Sequence, residues 1–291
     1  MSATATAVDP AVQLAERVAE ISSLPDTAMK IVETVQNPRS GAQDLMRVLQ
    51  ADPSLTARVL RTINSAAYGL SERVTDLQKA ISFLGFNQIR NLALTASISG
   101  VFRDGNNVGC YNRRTLWKHM VAVAIGTRMI ARRVELSNPE EGFLCGLLHD
   151  IGIILIDQYA HPQFRQVIRR LERSREGTTL VAVERDLLGF DHALLGELVA
   201  RCWRFPDTIC SAIQLHHSAN VSKAPDPKLV QCVQAANVIC SLKSLTSVGK
   251  RALECSADVF RNLGFSKLDV KVLAEDLDRG LEQQSALFEL L

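Results

Sequence analysis

Aromatic side chains are scarce: Phe, Trp and Tyr make up 5% of the 291 residues. A core of ordinary size must then come from Leu, Ile, Val and Ala, which suits close-packed helices better than aromatic-rich strands. Charge of one sign is also missing. The 33 basic and 31 acidic residues leave a net charge of +2, which is no electrostatic footprint for nucleic acid or an anionic membrane. The seven cysteines are odd in number and contain no CxxC pair. That speaks against a disulfide framework or a zinc-thiolate site, and for reduced, buried thiols in a reducing compartment. The N-terminus, MSATATAVDPAVQ, lacks a basic stretch leading into an apolar run, so no secretory leader is expected. The most apolar run, Gly146 to Ile156, is too short to span a bilayer and is interrupted by His149 and Asp150. The expectation is a cytoplasmic protein with no nucleic-acid partner and no membrane partner.

What is present is helical periodicity. Hydrophobic residues make up 47% and charged residues 22%, ordinary for a chain that buries a sizeable core. Prolines fall at helix starts: Pro25-Asp26, Asp52-Pro53 and Pro206-Asp207 each precede an apolar-periodic run. There the missing proline N–H has no helical partner to lose, and Asp complements the positive helix end. The loop Arg103 to Asn112 is the best internal boundary. After it, helices are expected over Thr115–Val134, Pro139–Tyr159, His161–Arg173, His192–Trp203, Pro206–His217 and Pro227–Leu242. Two more are expected from about Gly249 to the end. In the last, Leu273, Leu277, Leu281 and Leu287 form a packing stripe, with a homodimer seam as its second use. The basic run Arg165 to Arg175 reads as a solvated helix face, with Glu172 and Glu176 interleaved.

All six histidines lie beyond the boundary loop, and five of them fall at helical positions that can converge. His119 sits on an apolar stripe with Leu116, Ala122 and Val123. His149 and Asp150 are adjacent inside FLCGLLHDIGIILI. His192 opens one helix, and His216 and His217 close another. A carboxylate in an apolar run is costly unless it meets a cation or strong donors. Imidazole and carboxylate together suit Mn, Fe, Zn or Ni. Such an ion supplies a Lewis acid, and two ions can clamp a phosphoryl group. Each histidine alone reads more often as a packed, hydrogen-bonded side chain than as a ligand, and Asp150 alone as a helix cap or an arginine's partner.

The order His119, His149-Asp150, His192, His216-His217 resembles the HD superfamily of metal-dependent phosphohydrolases. HDIG followed by DHALLGELVARCWRFPDTICSAIQLHH is similar to the branch shared by HD-GYP phosphodiesterases and HDOD proteins. LPDTAMKIVETVQNP, DPSLTARVLRTINSAAYGL and LQKAISFLGFNQIRNLAL resemble HDOD sequence specifically. The resemblance covers roughly Ile21 to Cys240 and implies an all-α, multi-helix bundle. On it the chain divides into a tail (1–13), an N-terminal helical part (14–102), an HD-like subdomain (113–243) and C-terminal helices packing on the bundle (244–291). It places metal ligands on His119, His149, Asp150, His192, His216 and His217, for one or two divalent ions. A weak or outer ligand falls on Asn237, where the relatives carry an acid. Three departures stand out: Ile153 replaces the lysine of the active phosphodiesterases, Thr115 replaces a further glutamate, and SANVSKAPDPK replaces the GYP loop. The resemblance therefore implies a signalling module that works through a protein partner with a degenerate metal pocket. The alternative is a metal-dependent phosphohydrolase acting on a nucleotide or cyclic dinucleotide.

Overall fold

The computed structural model describes residues 9–21, 25–36, 39–65, 68–70, 72–103, 105, 107–249 and 258–291. Among these the protein is all-α. The one extended feature is a single bridge between Val108 and Tyr111. The expected tail is shorter than the sequence suggests. Helix α1 (Pro10–Ile21) begins at Pro10, and Ala11, Ala15 and Val18 are buried. Residues 1–8, Cys255, and parts of the Asn64–Gly69 and Arg103–Asn112 segments lie outside the described residues.

Short helices α2 (Asp26–Gln36), α3 (Ala42–Gln50), α4 (Pro53–Ile63) and α5 (Leu77–Leu84) surround α6 (Phe86–Ser99). The proline signal at α4 is a working cap: the Asp52 carboxylate accepts from Leu55 N at 2.9 Å, with Pro53 at the first helical position. Helix α6 is buried on all sides from Ile89 to Ser99, as a helix enclosed by other helices must be. Its polar side chains are spent internally. Thr95 Oγ1 donates to Asn91 O, and Ser99 Oγ reaches Leu290 O at 3.0 Å.

Beyond the loop, α7 (Arg113–Arg133) is the axis of the second half. Against it pack α8 (Pro139–Leu148), α14 (Pro227–Leu242) and α16 (Lys267–Gln283). The remaining helices are α9 (Ile151–Tyr159), α10 (His161–Arg173), α11 (Leu180–Leu188), α12 (His192–Cys202), α13 (Asp207–Leu215) and α15 (Asp258–Asn262). Three differences from the sequence expectation matter. The single helix expected over Pro139–Tyr159 is two, parted at His149-Asp150. Helix α11 was not expected. Its Thr179 cap and the left-handed Gly189 after its last residue bracket only nine residues. Finally, Cys110 and Cys202 are exposed, while Cys145, Cys210, Cys232 and Cys240 are buried as expected.

Helices on both sides of the boundary loop share one continuous apolar core. Asn91 on α6 donates to the carbonyl and carboxylate of Glu140 on α8, at 3.0 and 3.1 Å. The expected leucine stripe packs within the chain: Leu273 and Leu277 on α16 and Leu287 just beyond it are buried. The 21-residue stretch Pro139–Tyr159 is apolar enough to cross a membrane, yet 89% of its most apolar 18 residues lie buried inside the fold.

Candidate metal centre

Five elements deliver six side chains to one place. His119 comes from the middle of α7. His149 and Asp150 lie in the break between α8 and α9. His192 is the first residue of α12, and His216 and His217 follow α13. The break has a visible cause. His149 stands at the C-terminal cap of α8 and its ring Nδ1 lies 2.8 Å from Gly146 O. The next backbone bond runs three residues rather than four, from Ile153 N to Asp150 O at 3.0 Å. His216 repeats the device at the end of α13, with Nδ1 2.6 Å from Ile213 O. The last carbonyls of a helix have no helical partner. Each imidazole donates to one of them and thereby turns its Nε2 towards the other side chains of the cluster.

Two further rings are fixed through Nδ1: His119 Nδ1 is 2.6 Å from Leu245 O, and His192 Nδ1 is 2.6 Å from Glu184 Oε2. With Nδ1 donating, Nε2 carries the lone pair. The free edges meet around Asp150. Its Oδ2 lies 3.4 Å from Nε2 of both His119 and His149, and these two nitrogens are 3.3 Å apart. Its Oδ1 lies 3.4 Å from His192 Nε2 and 3.3 Å from His216 Nε2. His192 Nε2 is 3.1 Å from His217 Nε2. Asp150 thus joins two ligand groups, one with His119 and His149 and one with His192, His216 and His217. Atoms bound at about 2.1 Å to one ion in tetrahedral or octahedral geometry stand about 3.0–3.4 Å apart. The donor set therefore fits one divalent ion per group, with the carboxylate shared.

The electrostatics favour a cation. Burial alone would raise the Asp150 carboxyl, but the histidines around it, His149 foremost, hold it well below the usual carboxylate range. Burial pushes His149 down to about 4 and His217 well below the ordinary imidazole value. Both stay neutral, the state in which an imidazole can hold a metal ion. Burial would also lower His192, but Glu184 and Asp150 raise it well above the ordinary value. The negative ends of α8 and α13 point into the site. The positive end of α12 is answered by Glu184, whose Oε2 also accepts from His192 N at 3.0 Å.

Close packing brings these elements together. A Cβ on Gly152 would sit 1.9 Å from His192 O, so only glycine lets α9 approach the start of α12 this closely. A Cβ on Gly146 would meet the α7 backbone at 2.7 Å. Of the expected positions, Asn237 is buried on α14, and its amide makes no hydrogen bond to the cluster among the described residues. Thr115 is exposed near the start of α7, one helical turn before His119. His161, the sixth histidine, pairs instead with Asp157 at 2.8 Å. Glu184 is the member that the sequence reading missed. Its signal is a lone acid on an apolar helix face eight residues before His192.

The HDOD domain family matches residues 21–219, and the chain belongs to that family. An HDOD domain protein from Geobacter sulfurreducens is 27% identical, with a TM-score of 0.79 over 96% of this chain and 98% of its own. A candidate phosphohydrolase from Shewanella amazonensis is 27% identical, with a TM-score of 0.74 over 96% and 97%. A candidate signal transduction protein from Marinobacter aquaeolei shares the fold, with a TM-score of 0.80 at 24% identity over 94% and 60%. An uncharacterized Treponema pallidum protein is 24% identical over 78% of this chain. The chain spans 44% of that relative's length, and 32% of the Bacillus subtilis protein YuxH, to which it is 25% identical over 47% of itself.

Proposed function

We propose that the protein is a signalling module whose Asp150-centred pocket holds one or two divalent ions and which acts by binding a protein partner, without phosphoester turnover. The observation that carries the metal reading is the position of Asp150, with each carboxylate oxygen 3.3–3.4 Å from two imidazole Nε2 atoms. His119, His149, Asp150, His192, His216 and His217 would hold the ions. When bound, a divalent ion supplies a Lewis acid and a large fixed charge that ties α7, α8, α12 and α13 together.

The absence of turnover rests on what surrounds the ligands. His119, His149, Asp150, His192 and His216 are buried, and His217 is only partly exposed. The main electrostatic influences on the cluster are its own histidines, Asp150 and Glu184, with no lysine or arginine among them. The position after Gly152 is the buried, apolar Ile153. A phosphoester needs cations or donors for its non-bridging oxygens, and none is supplied from this turn. Elemental analysis of purified protein, with a phosphodiester and nucleotide panel in Mn²⁺ or Fe²⁺, tests both halves. Stoichiometric metal with no turnover is expected. Turnover that Asp150→Ala abolishes would establish the phosphohydrolase alternative, whose support is the two-sided carboxylate and the resemblance to the Shewanella protein.

A further inference from the structure

Two adjoining cavities lie well away from the histidine cluster, along the other end of α7. Arg128 is nine residues beyond His119, about 14 Å further along the helix. One cavity, of about 460 Å³, lies between α7 and α16. Arg128, Arg132, Arg133 and Arg279 line it, with Asp276 its one acid. The other, of about 470 Å³, opens on the far side of Arg128 and Arg132 and has no acid in its lining. Leu92, Phe143 and Leu287 provide apolar wall there, together with Tyr68. The cavities share Arg128, Arg132, Gln283 and Gln284. Both fall in the size range of small-molecule sites.

The arginines are held ready. Arg128 is mostly buried, its guanidinium 5.1 Å above the Phe143 ring and bonded to Gln284 Oε1 at 2.6 Å and Glu140 Oε2 at 3.3 Å. Arg132 reaches Glu140 at 2.7 Å, and Arg133 lies 3.7 Å from Asp269. Arg279 pairs with Asp276. Four guanidinium groups carry about twenty N–H donors, and these contacts engage few of them. In the second cavity, Tyr68 Oη and the amides of Gln88 and Gln283 make none of the described hydrogen bonds. The chemistry is therefore split: one chamber offers cationic forks of the kind that match phosphate, and its neighbour offers apolar wall, an aromatic ring and unengaged amides. We infer that these paired cavities bind a nucleotide, with phosphate against Arg132, Arg133 and Arg279 and the base in the chamber of Tyr68, Leu92 and Leu287.

The test is calorimetry on the full chain with AMP, GMP, guanosine and inorganic phosphate. At least one nucleotide binds with Kd of about 100 µM or tighter, and more weakly as salt rises. Guanosine and phosphate each bind at least about tenfold more weakly. Arg132→Ala and Arg279→Ala, both at exposed arginines, each weaken the nucleotide about tenfold or more, the scale of a lost charged hydrogen bond, with melting curves showing intact folding. Tyr68→Phe weakens it less. His149→Ala, in the separate cluster, leaves it unchanged, so metal and nucleotide sites stand or fall independently. The inference is overturned if neither nucleotide binds by about 1 mM. It is overturned as well if phosphate or guanosine alone binds as tightly, if both arginine variants bind normally, or if His149→Ala abolishes binding.

Discussion

At the residue scale, each Nδ1 contact makes a separate claim. On the proposed metal reading His149→Ala deletes a ligand, and it is expected to weaken metal binding about tenfold or more, read by titration of metal-free protein. Glu184→Ala touches no metal ligand position, yet it removes the acceptor of His192 Nδ1 and of its backbone N–H. Metal affinity should fall about 10–100-fold, whereas a purely structural Glu184 would move only the melting temperature. The pH dependence follows from the depressed His149 value. The folded imidazole stays neutral down to about 4, while the unfolded one protonates near its ordinary 6.5. The unfolded state therefore binds the extra proton between these values, and the His149 contribution is lost as pH falls through that window. In metal-free protein, the stability margin of wild type over His149→Gln should shrink by about 3 kcal/mol between pH 7 and 4. His192 works in the opposite sense, because its raised value gives stability that is lost as pH rises, so the paired comparison is needed. The clustering of these side chains was legible because an adjacent His-Asp pair in an apolar run is expensive without a partner. Glu184 was not, because a single buried acid on a short helix reads as an ordinary amphipathic pattern until its partner is seen.

At the element scale, the helix boundaries were most legible where caps are chemical. Asp52, Asp191 and Asp226 each accept from the backbone N–H three residues on. Expected helices His161–Arg173 and Pro227–Leu242 match α10 and α14 end to end. The break at His149-Asp150 was hidden because the run around the pair carries no glycine-proline or capping stop signal, and two polar residues alone do not end a helix. Only the side-chain bond from His149 to Gly146 O and the three-residue backbone bond at Ile153 replace the helical ladder. The meeting of α9 and α12 is the most sensitive joint. Gly152→Ala places a methyl carbon against the His192 carbonyl. It should cost about 3 kcal/mol or more, since backbone rather than a flexible side chain must move. Denaturant unfolding measures the loss, and weakened metal binding in the folded variant would show that the displacement reaches His192.

For the whole molecule, the closing 3-10 turn Ser285–Leu290 ties the two halves together. Leu287 O accepts from Trp117 Nε1 on α7 at 3.3 Å, and Leu290 O from Ser99 on α6 at 3.0 Å. Leu287 and Leu290 are both buried. Removing residues 285–291 should destabilise the fold by on the order of 4 kcal/mol, at about 2 kcal/mol per buried leucine, and lower the melting temperature measurably. Saturating Mn²⁺ or Zn²⁺ should raise it: at a hundredfold excess over Kd, binding to the folded state alone contributes about 2.7 kcal/mol. The all-α class was readable from periodicity and scarce aromatics. The shared core was not, because contacts such as Asn91 with Glu140 join positions 49 apart in the chain.

The two helix-ending histidines serve a second master. Replacing His149 or His216 strips a terminal carbonyl of its donor, a penalty of about 1–3 kcal/mol incurred with or without any ion. A lineage that abandoned hydrolysis would thus still be held to both imidazoles by folding alone. Their presence in a sequence speaks first for architecture, and only the surrounding cations speak for turnover.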